Sequence, residues 1–279
     1  MLRLMSNNQW RCDENKPYWI ERGLDCSAQA RAKGFARLYA ETEPDIVGLQ
    51  EVSPAMLEWL LRELSARGLP FGAVWGRDTP IIYRTDRFET VDQRFHIYSK
   101  TIPELEGEFN NYDTKSYCAC VFREKRSGKL FTFMTTHLWW KSDDPASPDY
   151  QAGSDSARVH QLQCAIAALD DLAQRYRCPQ VLVGDLNTPY SSAPIRAAFA
   201  AGFSHAHDVA VDYADQTNGW HPCGPNIIES YTPEDFKHGI DHILVRNCDI
   251  QFVRRFDRTM PDYYITLSDH APVWIDAAP

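Results

Sequence analysis

The stretch that decides the fold lies at residues 180–187 and reads QVLVGDLN. Its first half is apolar on three successive residues, Val181 to Val183, which is typical of a strand buried on both faces. A stretch of the same kind, DIVGLQ, lies at 45–50. In both stretches a polar residue follows at once, Asp185 in the first and Glu51 in the second. The sequence therefore predicts central strands that carry polar side chains at their ends.

The rest of the chain alternates strand and helix patterns in its first half, and strands predominate later. The strand candidates are 2–6, 45–50, 80–83, 95–98, 116–122, 130–135, 180–184, 240–245, 250–254 and 272–275. Three helices are predicted, at 27–42, 54–67 and 155–176. This order indicates an α/β chain with a mixed sheet system.

Three stretches are irregular, 99–114, 141–154 and 204–236, and they hold many of the Pro, Asp, Asn and Ser residues. No change of composition between them resembles a linker. Long loops within one compact domain often carry binding function. We therefore expect one domain over residues 1–279 with elaborate loops.

Composition limits the classes of function. The 279 residues are 44% apolar, and 29 Lys and Arg against 38 Asp and Glu give a formal charge of −9. Phosphate neutralisation alone cannot drive binding to long nucleic acid, because that requires a basic surface. No apolar run approaches the roughly 20 residues of a membrane span, and the eight cysteines are scattered, so we expect a cytoplasmic protein without a disulfide scaffold.

The candidate functional residues share one property, which is a place at or just past the end of an apolar strand. Ligands bind at strand ends in α/β sheets because loops converge there on a rigid support. Each residue is a weak signal alone, whereas the set is chemically complementary. The set comprises Asn8, Glu51, His137, Asp185, Asn187, Asp241, His242, Asp269 and His270.

The segments that carry these residues resemble the endonuclease/exonuclease/phosphatase superfamily of metal-dependent phosphoesterases. In chain order they are MSNNQW (5–10), DIVGLQEV (45–52), PIIYRTDRF (80–88), TTHLWW (135–140), VLVGDLNTPYSS (181–192), GIDHILV (239–245) and LSDHAPVWI (267–275). The resemblance implies a deoxyribonuclease I-like fold, in which two packed mixed β-sheets are flanked by helices as a four-layer α/β/β/α sandwich. It also implies a metal-dependent hydrolase that cleaves phosphate ester bonds.

The resemblance assigns Asn8 and Glu51 to binding or orienting the catalytic metal and places Asp269 beside it. These oxygen ligands suit Mg²⁺ or Mn²⁺ better than Zn²⁺. Some relatives carry an acidic residue two positions after the first-strand Asn, where this chain has Trp10. Glu51 is therefore the main carboxylate of the early chain, and the sequence leaves open one metal ion or two.

Five residues receive catalytic roles from the resemblance. His137 would contact the scissile phosphate, Asp185 would activate the attacking water, and Asn187 would hold that water or a phosphate oxygen. His270 would lie beside the phosphate, with Asp241 accepting a hydrogen bond from it. The sequence also allows the reverse roles, with His270 as the base and Asp185 as the acid.

Substrate selection is expected from residues that follow the catalytic motifs. Trp139 and Trp140 can stack on a base or sugar or pack the loop, and Lys237 can touch a phosphate that is not cleaved. The acidic loop SDDPASPD at 142–149 disfavours long polyanions. We therefore expect a phosphorylated small molecule as substrate, with short nucleic acid as the alternative, and we infer no protein partner.

Several alternatives stay open at this level. The same chemistry fits a nuclease, either an exonuclease or a deadenylase-like enzyme acting on short single strands, and the same fold could serve as a catalytically silent binding module. A structural zinc site could use His205, His207, His221 and Cys223, although their spacing matches no compact zinc motif. The resemblance also implies an assisting residue from the middle of the chain, for which Tyr117, Lys115 and Arg123 are the candidates.

Overall fold

Two β-sheets form the centre of the molecule, seen in a computed structural model that describes residues 1–11, 20–21, 23–213, 239–249, 251–259 and 261–278. The strands are β1 (Leu2–Asn8), β2 (Ile46–Gln50), β3 (Phe71–Val74), β4 (Ile81–Arg84), β5 (Phe88–Ile97), β6 (Ser116–Glu124), β7 (Leu130–His137), β8 (Gln180–Asp185), β9 (Ser204–His205), β10 (Asp212–Tyr213), β11 (Asp241–Arg246), β12 (Val253–Arg258) and β13 (Val273–Ala277). One sheet has the order β10-β12-β13-β1-β2-β4-β3 and the other β5-β6-β7-β8-β11-β9.

The first two helices begin at serine residues that cap them. They are α1 (Ala28–Thr42), α2 (Pro54–Ala66), α3 (Ser154–Tyr176), α4 (Ala193–Ala200) and the short α5 (Ala206–Val209). The Ser27 hydroxyl caps α1 by accepting from Ala30 N, and the Ser53 hydroxyl caps α2 by accepting from Met56 N. None of the helices in the described residues is long and apolar enough to cross a membrane.

The core divides into three apolar layers, and these layers define the stacking of the molecule. Between the two sheets, side chains such as Leu4, Val183 and Phe133 are fully buried. A second layer packs α1 and α2 on the first sheet, and a third packs α3 and α4 on the second sheet. The expected four-layer α/β/β/α sandwich with mixed sheets is confirmed, whereas the expectation of one domain over the whole chain stays a prediction.

Most predicted elements are confirmed, and the differences have physical causes. The strand predicted at 95–98 extends back to Phe88 as β5, which is an edge strand whose polar residues face solvent and so hide its pattern. The strand predicted at 250–254 begins only at Val253, because a turn precedes it in which Phe252 N donates to Asp249 O. The sequence prediction missed β3 and α4, which have four and eight residues, and the short elements β9, α5 and β10 within the stretch that it took as irregular from residue 204.

Glycine at position 184 allows β7 and β8 to pair closely next to Asp185. A Cβ on Gly184 would lie 1.9 Å from the carbonyl oxygen of Thr136, and its φ is +151°. Because the obstacle is backbone, a side chain here must displace the strand itself. Gly184 is therefore required for the position of the residue that follows it.

We expect Gly184→Ala to lower the free energy of unfolding by about 3 kcal/mol or more, through overpacking and backbone strain. Denaturant unfolding followed by circular dichroism measures this. Gly128→Ala is the matched control, because Gly128 also has a positive φ (+74°) but nothing lies within 4 Å of its Cβ position. If Gly184→Ala lowers the free energy of unfolding by no more than Gly128→Ala does, the close packing at Gly184 does not have the role described.

Candidate active site

The strand register of the second sheet brings three predicted site residues into one row. His137 on β7 pairs with Asp185 on β8, and Asp185 pairs with Asp241 on β11. On the other side, His137 pairs with Ser116 on β6. Residues far apart in the sequence therefore lie side by side at one edge of the sheet.

Asn8 connects this row to the first sheet. It ends β1, and its partner Gln50 ends β2 immediately before Glu51. The Asn8 side-chain amide donates to Glu51 Oε1 (3.3 Å) and to Asp185 Oδ2 (3.0 Å), while its oxygen accepts from the backbone N–H of Trp10 (2.8 Å). Asn8 thus directs its nitrogen, and not its oxygen, to the two carboxylates, which it holds together across the sheets.

Asp185 lies at the centre of the cluster and is buried. Its Oδ1 accepts from Asn187 N (2.9 Å), and its Oδ2 lies 3.4 Å from His137 Nε2 and 3.9 Å from His270 Nε2. Burial, together with the charges of Asp241 and Glu51, raises the pKa of Asp185 to about 7 against the opposing effects of His270 and Lys115. Its carboxylate can therefore exchange a proton near neutral pH.

His270 and Asp241 form a buried ion pair beside Asp185. The His270 Nδ1–H donates to Asp241 Oδ2 at 2.7 Å. Burial lowers the pKa of His270, but the carboxylates of Asp241, Asp269 and Asp185 outweigh this and raise that pKa well above its ordinary value. The ring is therefore an imidazolium whose Nε2–H is available as a hydrogen-bond donor.

The backbone of His270 is fixed as well as its ring. Its N–H donates to the Ser268 hydroxyl (3.1 Å), and that hydroxyl donates to Asn8 O (2.7 Å). Its carbonyl accepts from Tyr264 Oη (2.9 Å). The loop before β13 is thus anchored to the end of β1.

His137 differs from His270 in charge. Burial and the nearby positive charge of Lys115 lower the pKa of His137 well below its ordinary value. Its Nε2 lies 2.5 Å from Lys115 Nζ, so the neutral ring accepts a hydrogen bond from the ammonium. His137 is therefore a neutral group held between Lys115 and Asp185.

The carboxylates of the site could bind a divalent cation, as metal-dependent hydrolysis of a phosphate ester requires. Burial raises the pKa of Glu51, but the charges of Lys115 and His270 and the hydrogen bond from the Arg11 N–H oppose it, and that pKa falls to about 2, so Glu51 is ionised. Single ligand atoms of Glu51, His137 and Asp185 lie within 4.8 Å of one another. Oδ1 of Asp269 is buried without a hydrogen-bond partner among the described residues. It lies 3.9 Å from His270 Nε2, and a buried carboxylate oxygen that accepts no hydrogen bond is suited to coordinate a hard cation such as Mg²⁺ or Mn²⁺.

Three further charged residues line the site, Lys115, Asp78 and Arg11. Lys115, one of the three mid-chain candidates, lines the cavity, whereas Tyr117 is buried in the third apolar layer and Arg123 pairs with Glu89 at the surface. The sequence analysis missed Asp78 and Arg11, and the Asp78 Oδ1 accepts from the Arg11 guanidinium at 2.7 Å. Asp78 lies two residues before the strand predicted at 80–83, so extending the strand-end criterion to strand beginnings would have found it.

A cavity of about 370 Å³ opens above this cluster. Trp140 lines it and is 39% exposed, whereas Trp139 is 3% exposed and packs edge-on against Phe109 in a small core cluster. Trp139 is not among the side chains that line the cavity, and Lys237 lies outside the described residues. The residues that line it are Arg11, Glu51, Asp78, Asn111, Tyr112, Thr114, Lys115, His137, Trp140, Asp185, Asn187 and His270.

His205, one of the residues considered for zinc, belongs to a buried hydrogen-bonded chain. His205 Nε2 donates to His242 Nδ1 (3.1 Å), and His242 Nε2 donates to Thr188 O (2.8 Å). The remaining nitrogen of His205 accepts from His207 N (3.2 Å). Both ring nitrogens of His205 are thus engaged, while His221 and Cys223 lie outside the described residues.

The comparisons with known proteins agree with this geometry. A model of the endonuclease/exonuclease/phosphatase family matches residues 20–270. The chain belongs to this family. Its superfamily resemblance is thereby confirmed, and the chain is a phosphoesterase-superfamily hydrolase with a group of residues that could hold a metal ion. No curated protein matches the chain significantly.

Solved structures of this family share the fold at low sequence identity. The mannosyl-6-phosphatase of Bacteroides thetaiotaomicron is 20% identical with a TM-score of 0.73, and the match covers 100% of both chains. The human Nocturnin catalytic domain with bound sulfate is 15% identical (TM-score 0.63), covering 99% of this chain and 94% of that one. D. rerio TDP2 complexed with a single-strand DNA product is 18% identical (TM-score 0.64), covering 98% and 97%. Family members of this fold therefore differ in substrate.

Proposed function

We propose that this family member is a divalent-metal-dependent phosphoesterase that hydrolyses a small phosphorylated molecule. The observation that carries the proposal is the placement of Asp185 between the His270–Asp241 ion pair and neutral His137, with Glu51 facing it across the sheets. Bound Mg²⁺ or Mn²⁺, held by Glu51 and Asp269, would supply positive charge to the phosphate and the leaving oxygen.

Each residue of the site has a separate role in the proposed reaction. Asp185 takes the proton from water as the water oxygen attacks phosphorus and the P–O bond to the alcohol breaks. The Asn187 N–H and the Asn8 amide fix the two oxygens of Asp185, so its orientation needs no adjustment during the step. His270 donates its Nε2–H to a phosphate oxygen and stabilises the charge that develops there. The leaving alkoxide takes its proton from solvent.

The cavity supports a small substrate. Its volume, about 370 Å³, lies at the lower end of the range for small-molecule sites, roughly 300–1,000 Å³. The acidic loop 142–149 follows Trp140 closely, and the chain carries −9 overall, which disfavours a long polyanion. The mannosyl-6-phosphatase shares the fold and supports a phosphorylated small molecule as the class.

Trp140 is expected to bind the part of the substrate that is not cleaved. Trp140→Ala should raise KM roughly tenfold, because stacking on one ring is worth about 1–3 kcal/mol, and should leave kcat nearly unchanged. Steady-state kinetics measure both constants. Trp75→Ala is the control, since Trp75 is 64% exposed and lies outside the cavity lining. A variant with wild-type KM would remove Trp140 from the substrate site.

The proposed function is tested by a substrate panel assayed with Mg²⁺, with Mn²⁺ and with a chelator. The panel contains a generic phosphate monoester, a generic diester, a sugar phosphate, a short single-stranded RNA and an abasic DNA duplex. We expect hydrolysis of the small esters with metal and none with chelator. Cleavage of the oligonucleotides alone would replace this proposal with the nuclease alternative, and no turnover on any substrate would favour a silent binding module.

A further inference from the structure

Arg11 and Asp78 form an ion pair on the wall of the cavity. The Arg11 Nη1–H donates to Asp78 Oδ1 at 2.7 Å, and both residues line the cavity. The Asp78 side chain is 4% exposed, whereas the Arg11 side chain is 45% exposed. The proposed hydrolysis uses the groups around Asp185 and gives neither member of this pair a role. The pair is therefore available to bind the part of the substrate that is not cleaved.

The backbone of both residues is fixed to the segment around Glu51. Arg11 N donates to Glu51 Oε2 (3.0 Å), and Val52 N donates to Asp78 O (3.3 Å). The pair thus has a fixed place beside a carboxylate that is expected to bind the metal. A binding site whose parts are already held in place loses little conformational entropy when a ligand binds.

The pair offers both a hydrogen-bond donor and an acceptor to a ligand. Within the described residues the Arg11 side chain makes one hydrogen bond, to Asp78, so most of its N–H groups have no acceptor there. The Asp78 side chain likewise accepts one hydrogen bond from the described residues, and Arg77 Nε lies 3.9 Å from its Oδ2. Burial raises the pKa of Asp78 to about 6 against the opposing charges of Arg11 and Arg77, so the carboxylate is ionised above neutral pH.

A donor next to an ionised acceptor fits a hydroxyl group better than a second phosphate group. A hydroxyl group both donates and accepts, so it can donate to the Asp78 carboxylate and accept from the Arg11 guanidinium. An ionised phosphate group only accepts hydrogen bonds, and the Asp78 carboxylate repels it. The pair therefore favours a neutral polar group on the part of the substrate that is not cleaved.

Two aromatic side chains line the same cavity. Tyr112 is 82% exposed and Trp140 is 39% exposed. Tyr112 and Asp113 have left-handed backbone conformations, with φ of +56° and +55°, which are uncommon for residues other than glycine. The Arg77 guanidinium donates to Tyr112 O at 3.1 Å and holds this part of the loop. The electron-rich face of an aromatic ring can pack on the C–H groups of a sugar ring.

We propose that Arg11 and Asp78 determine specificity by binding hydroxyl groups of the leaving alcohol, so that the substrate is a phosphate monoester of a sugar or a similar polyol. This inference rests on the proposed function and names its substrate class. One hydroxyl group donates to the Asp78 carboxylate, and the same group or its neighbour accepts from the Arg11 guanidinium. A substrate with a further phosphate group at this position is repelled by Asp78.

Matched substrates test this inference on the wild-type protein. Epimeric hexose-6-phosphates are compared with cyclohexylmethyl phosphate, which keeps the ring and the CH₂–O–P linkage but has no hydroxyl groups. We expect kcat/KM to be at least about tenfold higher for the best hexose ester, because the analogue without hydroxyl groups leaves polar groups of the site unpaired. We also expect that a second phosphate group on the same hexose lowers kcat/KM.

Substitution of each member of the pair assigns these preferences to it. Arg11→Met should lower kcat/KM for the hexose ester about tenfold and leave it unchanged for cyclohexylmethyl phosphate, whereas a structural role would lower both. Asp78→Asn removes the charge and keeps the shape, so kcat/KM for the hexose bisphosphate should rise at least about threefold relative to the monophosphate. Arg175→Met is the control and should change neither preference, because Arg175 is 55% exposed, pairs with Asp171 and lies outside the cavity lining.

The outcomes separate this inference from the proposed function. If the wild-type protein hydrolyses no phosphate ester, the proposed function fails. If it hydrolyses cyclohexylmethyl phosphate as well as the hexose esters, or prefers the bisphosphate, the recognition of hydroxyl groups fails alone. An equal loss on both esters in Arg11→Met, or an unchanged preference in Asp78→Asn, also overturns it. Circular dichroism shows whether each variant is folded, and the wild-type comparison decides if one is not.

Discussion

Asp185→Asn is expected to reduce kcat at least about 10³-fold and, in the metal-free protein, to raise the free energy of unfolding. Activity falls because an amide cannot accept the proton of the attacking water. Stability rises because the folded protein buries the Asp185 carboxylate, whose pKa is raised to about 7. Residues selected for catalysis commonly destabilise the fold in this way.

The size of the gain follows from two opposing effects. An ordinary Asp titrates near 4, so ionisation of Asp185 costs the folded state roughly 4 kcal/mol at high pH, at about 1.4 kcal/mol per pKa unit. The new amide nitrogen meets the Asn8 amide donor in place of an accepting oxygen, which loses about 1–2 kcal/mol. We therefore expect a net gain of about 2 kcal/mol above pH 7.

The sign of the pH dependence is fixed by the direction of the pKa shift. A carboxyl whose folded pKa is raised binds more protons folded than unfolded between about pH 4 and pH 7, so its contribution to stability falls as pH rises through that range. The Asp185→Asn variant has no carboxyl at this position and does not lose stability in this way. The difference in free energy of unfolding between variant and wild type should therefore increase as the pH rises from about 4 to about 7.

Chemical denaturation in chelator at several pH values, together with turnover in Mg²⁺, measures both effects. Asp170→Asn is the control, because Asp170 is 52% exposed and forms a surface ion pair with Arg246, which is worth at most about 1 kcal/mol. Wild-type turnover of the Asp185→Asn protein would show that Asp185 is not the base. A stability difference independent of pH would contradict the raised pKa.

His270→Ala and Asp241→Asn are each expected to lower kcat about 10²–10³-fold. The first removes the donor to the phosphate oxygen, and the second removes the carboxylate that keeps the ring charged and oriented at 2.7 Å. Because both changes disable the same group, the double variant should be scarcely slower than the slower single variant. Independent roles would instead multiply the two losses.

The free energy of unfolding distinguishes the His270→Ala variant from the Asp241→Asn variant. His270→Ala leaves the Asp241 carboxylate buried without its counter-ion, and loss of one partner of a buried pair costs about 3–5 kcal/mol. Asp241→Asn in the same protein should recover part of that loss. The exposed pair Arg62–Glu58, with both side chains more than 60% exposed, is the control cycle and should show a coupling of at most about 0.5 kcal/mol.

Several features of the site could be predicted from the sequence because they depend on position along a strand. Apolar runs followed by polar residues identified Glu51, His137 and Asp185, and the described structure brings these three together. The ordered motifs from MSNNQW to LSDHAPVWI identified the family, which the family model confirms. Such features can be predicted from the sequence because the residues of a strand themselves define where the strand ends.

Other features depend on contacts between segments that the sequence does not pair. The two adjacent tryptophans are equivalent in the sequence, yet Trp139 enters the core beside Phe109 and Trp140 faces the cavity. The residues next to Asn8 in the sequence do not predict that the Trp10 N–H donates to the side-chain oxygen of Asn8. They also do not predict that the side-chain nitrogen of Asn8 then faces the carboxylates. These outcomes follow from local backbone geometry and packing.

The sequence by itself determined the α/β class and the chemical types of the residues at the strand ends, because burial pattern and residue type are properties of each segment, and the resemblance of its motifs to the family implied the layered arrangement. Only the tertiary structure decided their charges. Asp185, His137 and Lys115 owe their shifted pKa values to burial and to neighbours from other strands. Desolvation and Coulomb interaction depend on distances through space, and the sheet register sets those distances.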